Sequence, residues 1–215
     1  DAMLGTIVPS SAQKATQLFL PSIAGWSENV TMYPYDPEKA KALIAEAKAD
    51  GVPVDTEIQL AGRIGHFPNV QEYHEAVAIM LNEVGLNVKL EWYEAAVKNK
   101  MQVKPFDPNR RPQMFVDQHD NTAGDPVFTI PSRYRSDGSQ AKISDPKLDG
   151  LIDDAIASTG AERIAKWKAV SEYSDQEILP DAIMFHMVGF AALGPRVNYE
   201  PNMTTNSSRA RSITR

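Results

Sequence analysis

An α/β fold with a mixed sheet, parallel at its centre, is what this sequence predicts, on three observations. Glu57–Leu60 and Leu86–Trp92 are strand-like runs of alternating character, and residues 70–84 between them carry apolar side chains at helical spacing. The joints are short, so strand, helix and strand form a βαβ unit with parallel strands and a right-handed crossover. The helix ends are also written locally, by Asp36-Pro37 and Asn69 at starts and by Gly51 and Gly85 at stops.

In chain order, residues 1–35 are rich in Pro, Ser and Gly and predict an ordered, irregular stretch pinned to the rest by Trp26, Met32, Tyr33 and Tyr35. Asp36 is suited to cap a helix whose first residue is Pro37, with Ala40, Leu43, Ile44 and Ala47 on its apolar face. Glu57–Leu60 reads as a half-buried strand. Asn69 is placed to cap a second helix, with Tyr73, Val77, Met80, Leu81 and Val84 inward. Leu86, Val88, Leu90 and Trp92 alternate as the next strand, Glu94–Gln102 as a short helix, and Gln113–Asp117 as a further strand. Asp145-Pro146 opens a helix with Leu148, Leu151, Ile152, Ala155 and Ile156 inward. After Gly160 a second helix buries Ile164, Trp167, Val170, Ser171, Ser174 and Ile178. Ala182–Val188 is a nearly continuous apolar run, expected to be a strand covered on both faces.

Composition narrows function. The chain has 215 residues, enough for a sizeable core, and a formal net charge of -6, which argues against nucleic acid as a partner because phosphate neutralisation needs a basic face. Arg110-Arg111 is too short to be such a face. No apolar run is long enough to insert directly into a membrane. Cysteine is absent, which removes thiolate nucleophiles and zinc–thiolate sites and leaves the compartment open.

Catalytic motifs do not emerge. His66, His74, His119 and His186 form no HxH, HxxH or HExxH pair, so no metal or other cofactor is expected. His74 reads as a surface residue and His186 as a hydrogen-bonded core residue, whereas for His119 ligand contact and a structural role both stay open. No GxSxG string supports a serine hydrolase. Gly62-Arg63-Ile64-Gly65 is too short for a phosphate loop and reads as a turn, one that can still aim backbone N–H groups and Arg63 at an anion. His119–Pro126, polar and directly after a strand, lies where open α/β sheets take ligands.

Two strings, Tyr35–Ile44 and Glu75–Val88, resemble the C-terminal lobe of family-5 extracellular solute-binding proteins, the receptors of peptide- and nickel-type ABC importers. The resemblance implies the C-terminal lobe of a periplasmic-binding-protein-like clamshell, a βαβ core with flanking helices. It places the lobe at residues 1–201 and a polar segment, 202–215, returning towards an N-terminal lobe missing from this chain. It further implies a fragment of a longer protein, periplasmic or extracellular and lipid-anchored. Its partners would be a small, peptide-like solute and an ABC permease, and it would carry out no chemistry of its own. In that family an acidic segment after the strand pairs with the amine of a bound peptide. Asp125-Pro126 matches the end of that segment, Thr122 falls where the pairing Asp is expected and His119 where Trp is frequent. The resemblance therefore assigns ligand contacts to His119, Asp120, Asn121, Thr122 and Asp125, with Arg63 added from the turn. A chain with one wall of a cleft is expected to fold yet bind solute weakly or not at all. Two other classes remain as alternatives, a hydrolase acting on peptides and a protein–protein docking module.

Overall fold

The computed structural model describes residues 2–117, 124–190, 192–200 and 213–214. In chain order the elements are β1 (Gln13–Lys14), α1 (Pro37–Ala49), β2 (Ile58–Arg63), α2 (Val70–Glu83), β3 (Val88–Tyr93), α3 (Ala95–Met101) and β4 (Gln113–Phe115). A 3-10 turn at Pro126–Phe128 leads to α4 (Ile130–Arg133), α5 (Pro146–Ala157) and α6 (Gly160–Tyr173). A π turn, Ser174–Ile178, extends α6, and β5 (Phe185–His186), β6 (Asn198–Tyr199) and β7 (Ile213–Thr214) follow. The chain divides into two compact units, the first of Asp1–Ser10 and Pro34–Gln118, the second of Ser11–Tyr33 and His119–Arg215.

The first unit is built on a parallel sheet in the order β3-β2-β4. Leu60 on β2 pairs with Leu90 on one side and Met114 on the other. This is the predicted βαβ unit with a third parallel strand added. The half-buried reading of Glu57–Leu60 is corrected: as the middle strand, β2 buries Gln59, Leu60, Ala61 and Gly62 in succession. Leu60, Ala78 and Val88 form the apolar centre, with Ile58, Val77, Leu81, Leu86, Leu90, Met114 and Val116 packed around it.

The local signals for α1 hold in detail. The Asp36 side chain accepts the Lys39 N–H at 2.9 Å, and Pro37 opens the helix. At the other end the Val52 N–H reaches the Ala47 carbonyl and the Gly51 N–H the Lys48 carbonyl, with Gly51 at φ +87°, a left-handed close that glycine adopts freely. The expected apolar face is only half covered, since Leu43 is exposed and no residue of α1 is fully buried. Asn69 does not cap α2. It sits in the left-handed region at φ 58°, and its amide donates instead to the Ile7 carbonyl.

The second unit centres on the helical hairpin α5–α6. Asp145 caps α5 through the Leu148 N–H at 2.7 Å. Leu148, Ile152, Ala155, Trp167 and Val170 are completely buried, and Phe19, Ile23, Ile130 and Tyr134 close the core around them. Ile156 and Ile164, expected inward, are substantially exposed. Of the aromatic pins only Trp26 packs against this core, while Met32, Tyr33 and Tyr35 are exposed. The Ala182–Val188 run is not a strand covered on both faces. Only Phe185 and His186 pair, antiparallel with β1, and Met187 and Val188 face solvent. A second antiparallel pair joins β6 to β7.

Candidate functional site

The three parallel strands of the first unit end on the same edge, where open α/β sheets present their ligand-binding groups. Arg63 closes β2, Tyr93 closes β3, and Asp117 lies two residues beyond β4. Gly62 is required there by close approach rather than by its dihedral angles. A Cβ at this position would stand 2.6 Å from the ring of Trp92, which packs against the bare backbone of β2.

Trp92 in turn backs His74, the ring centroids 5.0 Å apart. His74, read from the sequence as a surface histidine, is fully buried. Its position on α2 points inward because the helix presents Val70, Tyr73, His74 and Ala78 to the sheet. Its Nδ1 lies 2.8 Å from the Val70 carbonyl, which can only accept, so Nδ1 carries the proton in the neutral ring. Nε2 is then a bare lone pair, buried and without a partner among the described residues. Nδ1 of His66 and the Nε–H of Arg63 are likewise buried without a partner among the described residues. Phe67 bridges the two histidines, 5.3 Å from His66 and 6.4 Å from His74 between ring centroids.

Charge at this edge is set by α3. Lys98 is 1% exposed, ion-paired with Asp117 and hydrogen-bonded to the Val116 carbonyl, while Gln102, one turn on, holds the other Asp117 oxygen. Burial, then the Lys98 and Arg63 cations, holds His66 below the ordinary histidine range. Burial does the same for His74, opposed by the bond to Val70. Both rings are therefore neutral near pH 7, and the edge carries Arg63 as a cation beside two imidazoles with unmet capacity.

Beside this edge runs a closed network. Glu91 accepts from Tyr93 and Gln59, both at 2.6 Å, and from Arg111 at 2.9 Å. The Tyr93 hydroxyl, the Arg111 guanidinium and the Gln59 amide lower its carboxyl to about 2. These groups bond chiefly to one another.

Among the sequence-predicted contacts, Arg63 is placed on the sheet edge. His119, Asp120, Asn121 and Thr122 lie outside the described residues. Asp125, in the second unit, caps the 3-10 turn through the Val127 N–H at 2.9 Å and is held by Arg163 at 2.8 and 3.3 Å. His186 is half-buried on β5, and burial lowers its pKa. Sequence reasoning missed His66, His74, Lys98 and Asp117. Their one legible signal was position, since each follows or packs against the C-terminal end of a strand. Among the described residues no group of three or more His, Asp or Glu is arranged to hold a metal ion, and no helix is long and apolar enough to cross a membrane.

Comparison with known proteins gives consistent results. The profile described as bacterial extracellular solute-binding proteins, family 5 Middle, matches residues 1–141. Heme-binding protein A of Haemophilus influenzae is 29% identical over 201 residues, 91% of this chain and 36% of its own length. The dipeptide-binding protein of Escherichia coli is 32% identical over 95 residues, 44% of this chain and 18% of its own. This chain thus spans about a third or less of the curated relatives it matches. Among solved structures, HbpA2 from Haemophilus parasuis superposes with a TM-score of 0.77 at 22% identity, covering 99% of this chain and 42% of that one. A dipeptide-binding protein from Pseudoalteromonas sp. SM9913, in complex with Met-Leu, gives 0.75 at 17% identity over 99% and 42%. At these identities the structural likeness is one of fold.

Proposed function

Because the chain belongs to the bacterial extracellular solute-binding proteins of family 5, we propose that it supplies one wall of a solute-binding cleft in a longer receptor that delivers its guest to an ABC permease. The observation that carries this is the sheet edge of the first unit, where the Arg63 Nε–H, His66 Nδ1 and His74 Nε2 are buried without partners among the described residues. Buried polar groups without partners cost free energy, so a ligand that meets them gains what the empty site forgoes.

The solute is a small molecule bearing a carboxylate. A dipeptide has one and haem has two, so the shared chemistry is an anionic oxygen pair set against the Arg63 guanidinium. The dipeptide is the favoured guest, with His119, Asp120, Asn121 and Thr122 as further contacts and Asp125 at the end of that segment. Capture involves no bond making or breaking. A solute that touches both walls has higher affinity for the closed receptor, and that difference drives closure. The receptor works outside the cytoplasm, in the periplasm or tethered to the outer face of a membrane. Residues 1–201 act as its C-terminal lobe and 202–215 lead back to the other lobe.

A nuclear magnetic resonance titration of the 215-residue chain with alanylalanine, alanylalanine amide and haem tests this. The expected result is weak, saturable binding of the carboxylate-bearing dipeptide that perturbs Arg63 and His66 and is lost in Arg63→Ala. Equal titration of the wild-type chain and Arg63→Ala counts against the assigned edge. Tight, stoichiometric binding to this chain alone counts against a two-walled cleft. A response to haem alone moves the assignment to that guest.

A further inference from the structure

The orphaned nitrogens at the sheet edge are of opposite kinds. The Arg63 Nε–H is a donor awaiting an acceptor, whereas His74 Nε2 is an acceptor in the neutral ring and becomes a donor only when protonated. A carboxylate can satisfy Arg63 as it stands. It can use His74 Nε2 only after a proton has been added, and it repels the bare lone pair otherwise. His66 lies in the same field, influenced by Arg63, Lys98, Asp117 and His74 together.

We propose that binding of an anionic solute group at Arg63 is accompanied by uptake of a proton from solvent onto His66 or His74, so that capture is tighter at mildly acidic pH. This rests on the reading that Arg63 receives a carboxylate. Every element around the two rings bears on it. Arg63 bears on His66 from the end of β2, Lys98 from α3 and Asp117 from beyond β4 bear on both rings, Tyr73 lies beside His74 on α2, and β3 contributes the uncharged Trp92. Asp117 is already paired with Lys98, and Arg63 has no ion pair among the described residues. In the empty site burial, with Lys98 and Arg63 for His66 and Lys98 for His74, keeps the imidazoles neutral. An arriving carboxylate neutralises Arg63, removes its share of the repulsion at His66 and supplies an acceptor for a newly protonated ring nitrogen. Each of these steps favours the charged ring. Binding and proton uptake are then reciprocally linked.

The test is a nuclear magnetic resonance titration of the wild-type 215-residue chain, with the imidazole nitrogens of His66 and His74 and the Arg63 Nε observed directly. The probes are alanylalanine and alanylalanine amide. Affinity for alanylalanine is expected to rise at least about threefold from about pH 7.5 to about pH 5.5, with His66 or His74 titrating higher in the complex. The amide should show neither effect. Replacing the histidines one at a time, His66→Gln and His74→Gln, should flatten the pH dependence for whichever ring takes the proton. If alanylalanine shifts Arg63 but its affinity and both imidazole titrations are independent of pH, proton coupling is overturned while the Arg63 site stands. A bridging water satisfying these nitrogens would give that result. If none of the three side chains responds to either probe, the site itself falls and the coupling with it. The wild-type titration decides the matter even where a histidine variant does not fold.

Discussion

The two units bury their largest side chains to different ends. In the second unit these are Trp167, Ile130, Leu148, Ile152, Gln17 and Val170, apolar but for Gln17. Among its buried polar groups Gln17 and Ser27 close on each other, while Trp167 Nε1 and Ser171 Oγ have no partner among the described residues. The Gln17 amide donates to the Ser27 carbonyl at 2.7 Å and accepts the Ser27 N–H at 2.8 Å. In the first unit the largest fully buried side chains are Lys98, Leu60 and His74, two of them polar, and His74 is left with an open nitrogen. One unit is stabilised by apolar packing, and its unmet polar atoms, Trp167 Nε1 and Ser171 Oγ, both belong to α6. The other keeps unmet capacity at one edge of its sheet, where a guest can meet it.

The contrast can be broken most forcefully by cutting each unit at its centre. Trp167→Ala should destabilise the second unit by about 3–5 kcal/mol, measured by urea unfolding, because the cavity is walled by rigid neighbours. Lys98→Met should cost the first unit about 3 kcal/mol by leaving the partly buried Asp117 charge without its cation. Adding Asp117→Leu should restore most of that loss, an outcome that no apolar-core deletion in the second unit would share.

Helix caps give smaller differences. Asp145→Ala should cost about 1–2 kcal/mol because α5 carries the buried face of its unit. Asp36→Ala should cost about 0.5 kcal/mol, seen as local fraying by hydrogen exchange, since α1 buries no residue completely.

The smallest effect is a divergence with pH. His66 and His74 titrate below 6.5 when folded, so the stability tied to their neutral forms is complete above that value and is lost as pH falls below it. Asp175 in the second unit behaves oppositely. Burial, with a contribution from Asp181, raises it from 3.8 to about 6, so its ionisation destabilises that unit above about pH 6, and this is relieved as pH falls towards 3.8. Hydrogen exchange at about pH 7 and about pH 5 should therefore show protection falling in α2 and β3 and holding or rising around Ser174–Ile178. Parallel changes in both units would remove the distinction.

Much of this architecture was legible where the cause is local. Asp36-Pro37 and Asp145-Pro146 bring cap and first helical residue together, Gly51 and Gly85 supply left-handed closes, and the βαβ spacing fixes parallel strands. What escaped depends on partners distant in the chain. His74 is buried because Trp92 lies over Gly62 and α3 packs Lys98 nearby, none of which its helical neighbours encode. Asn69 had a cap's chemistry, but the carbonyl of Ile7, far upstream, took its amide. The apolar run at Ala182–Val188 states what could be covered, not what covers it, and only two of its residues found a paired strand. Of the candidate site, sequence named Arg63, which ends β2, and not His66 and His74, while its other expected contacts, His119, Asp120, Asn121 and Thr122, lie outside the described residues.

The bare backbone at Gly62 has an optical consequence. By letting the Trp92 indole settle across β2 it holds that ring against the His74 imidazole, while Trp26 and Trp167 belong to the other unit. A charged imidazole quenches an adjacent indole far more strongly than a neutral one. With Trp26 and Trp167 replaced by phenylalanine, the emission of Trp92 becomes a built-in gauge of when that ring gains its charge and of how a guest alters the moment.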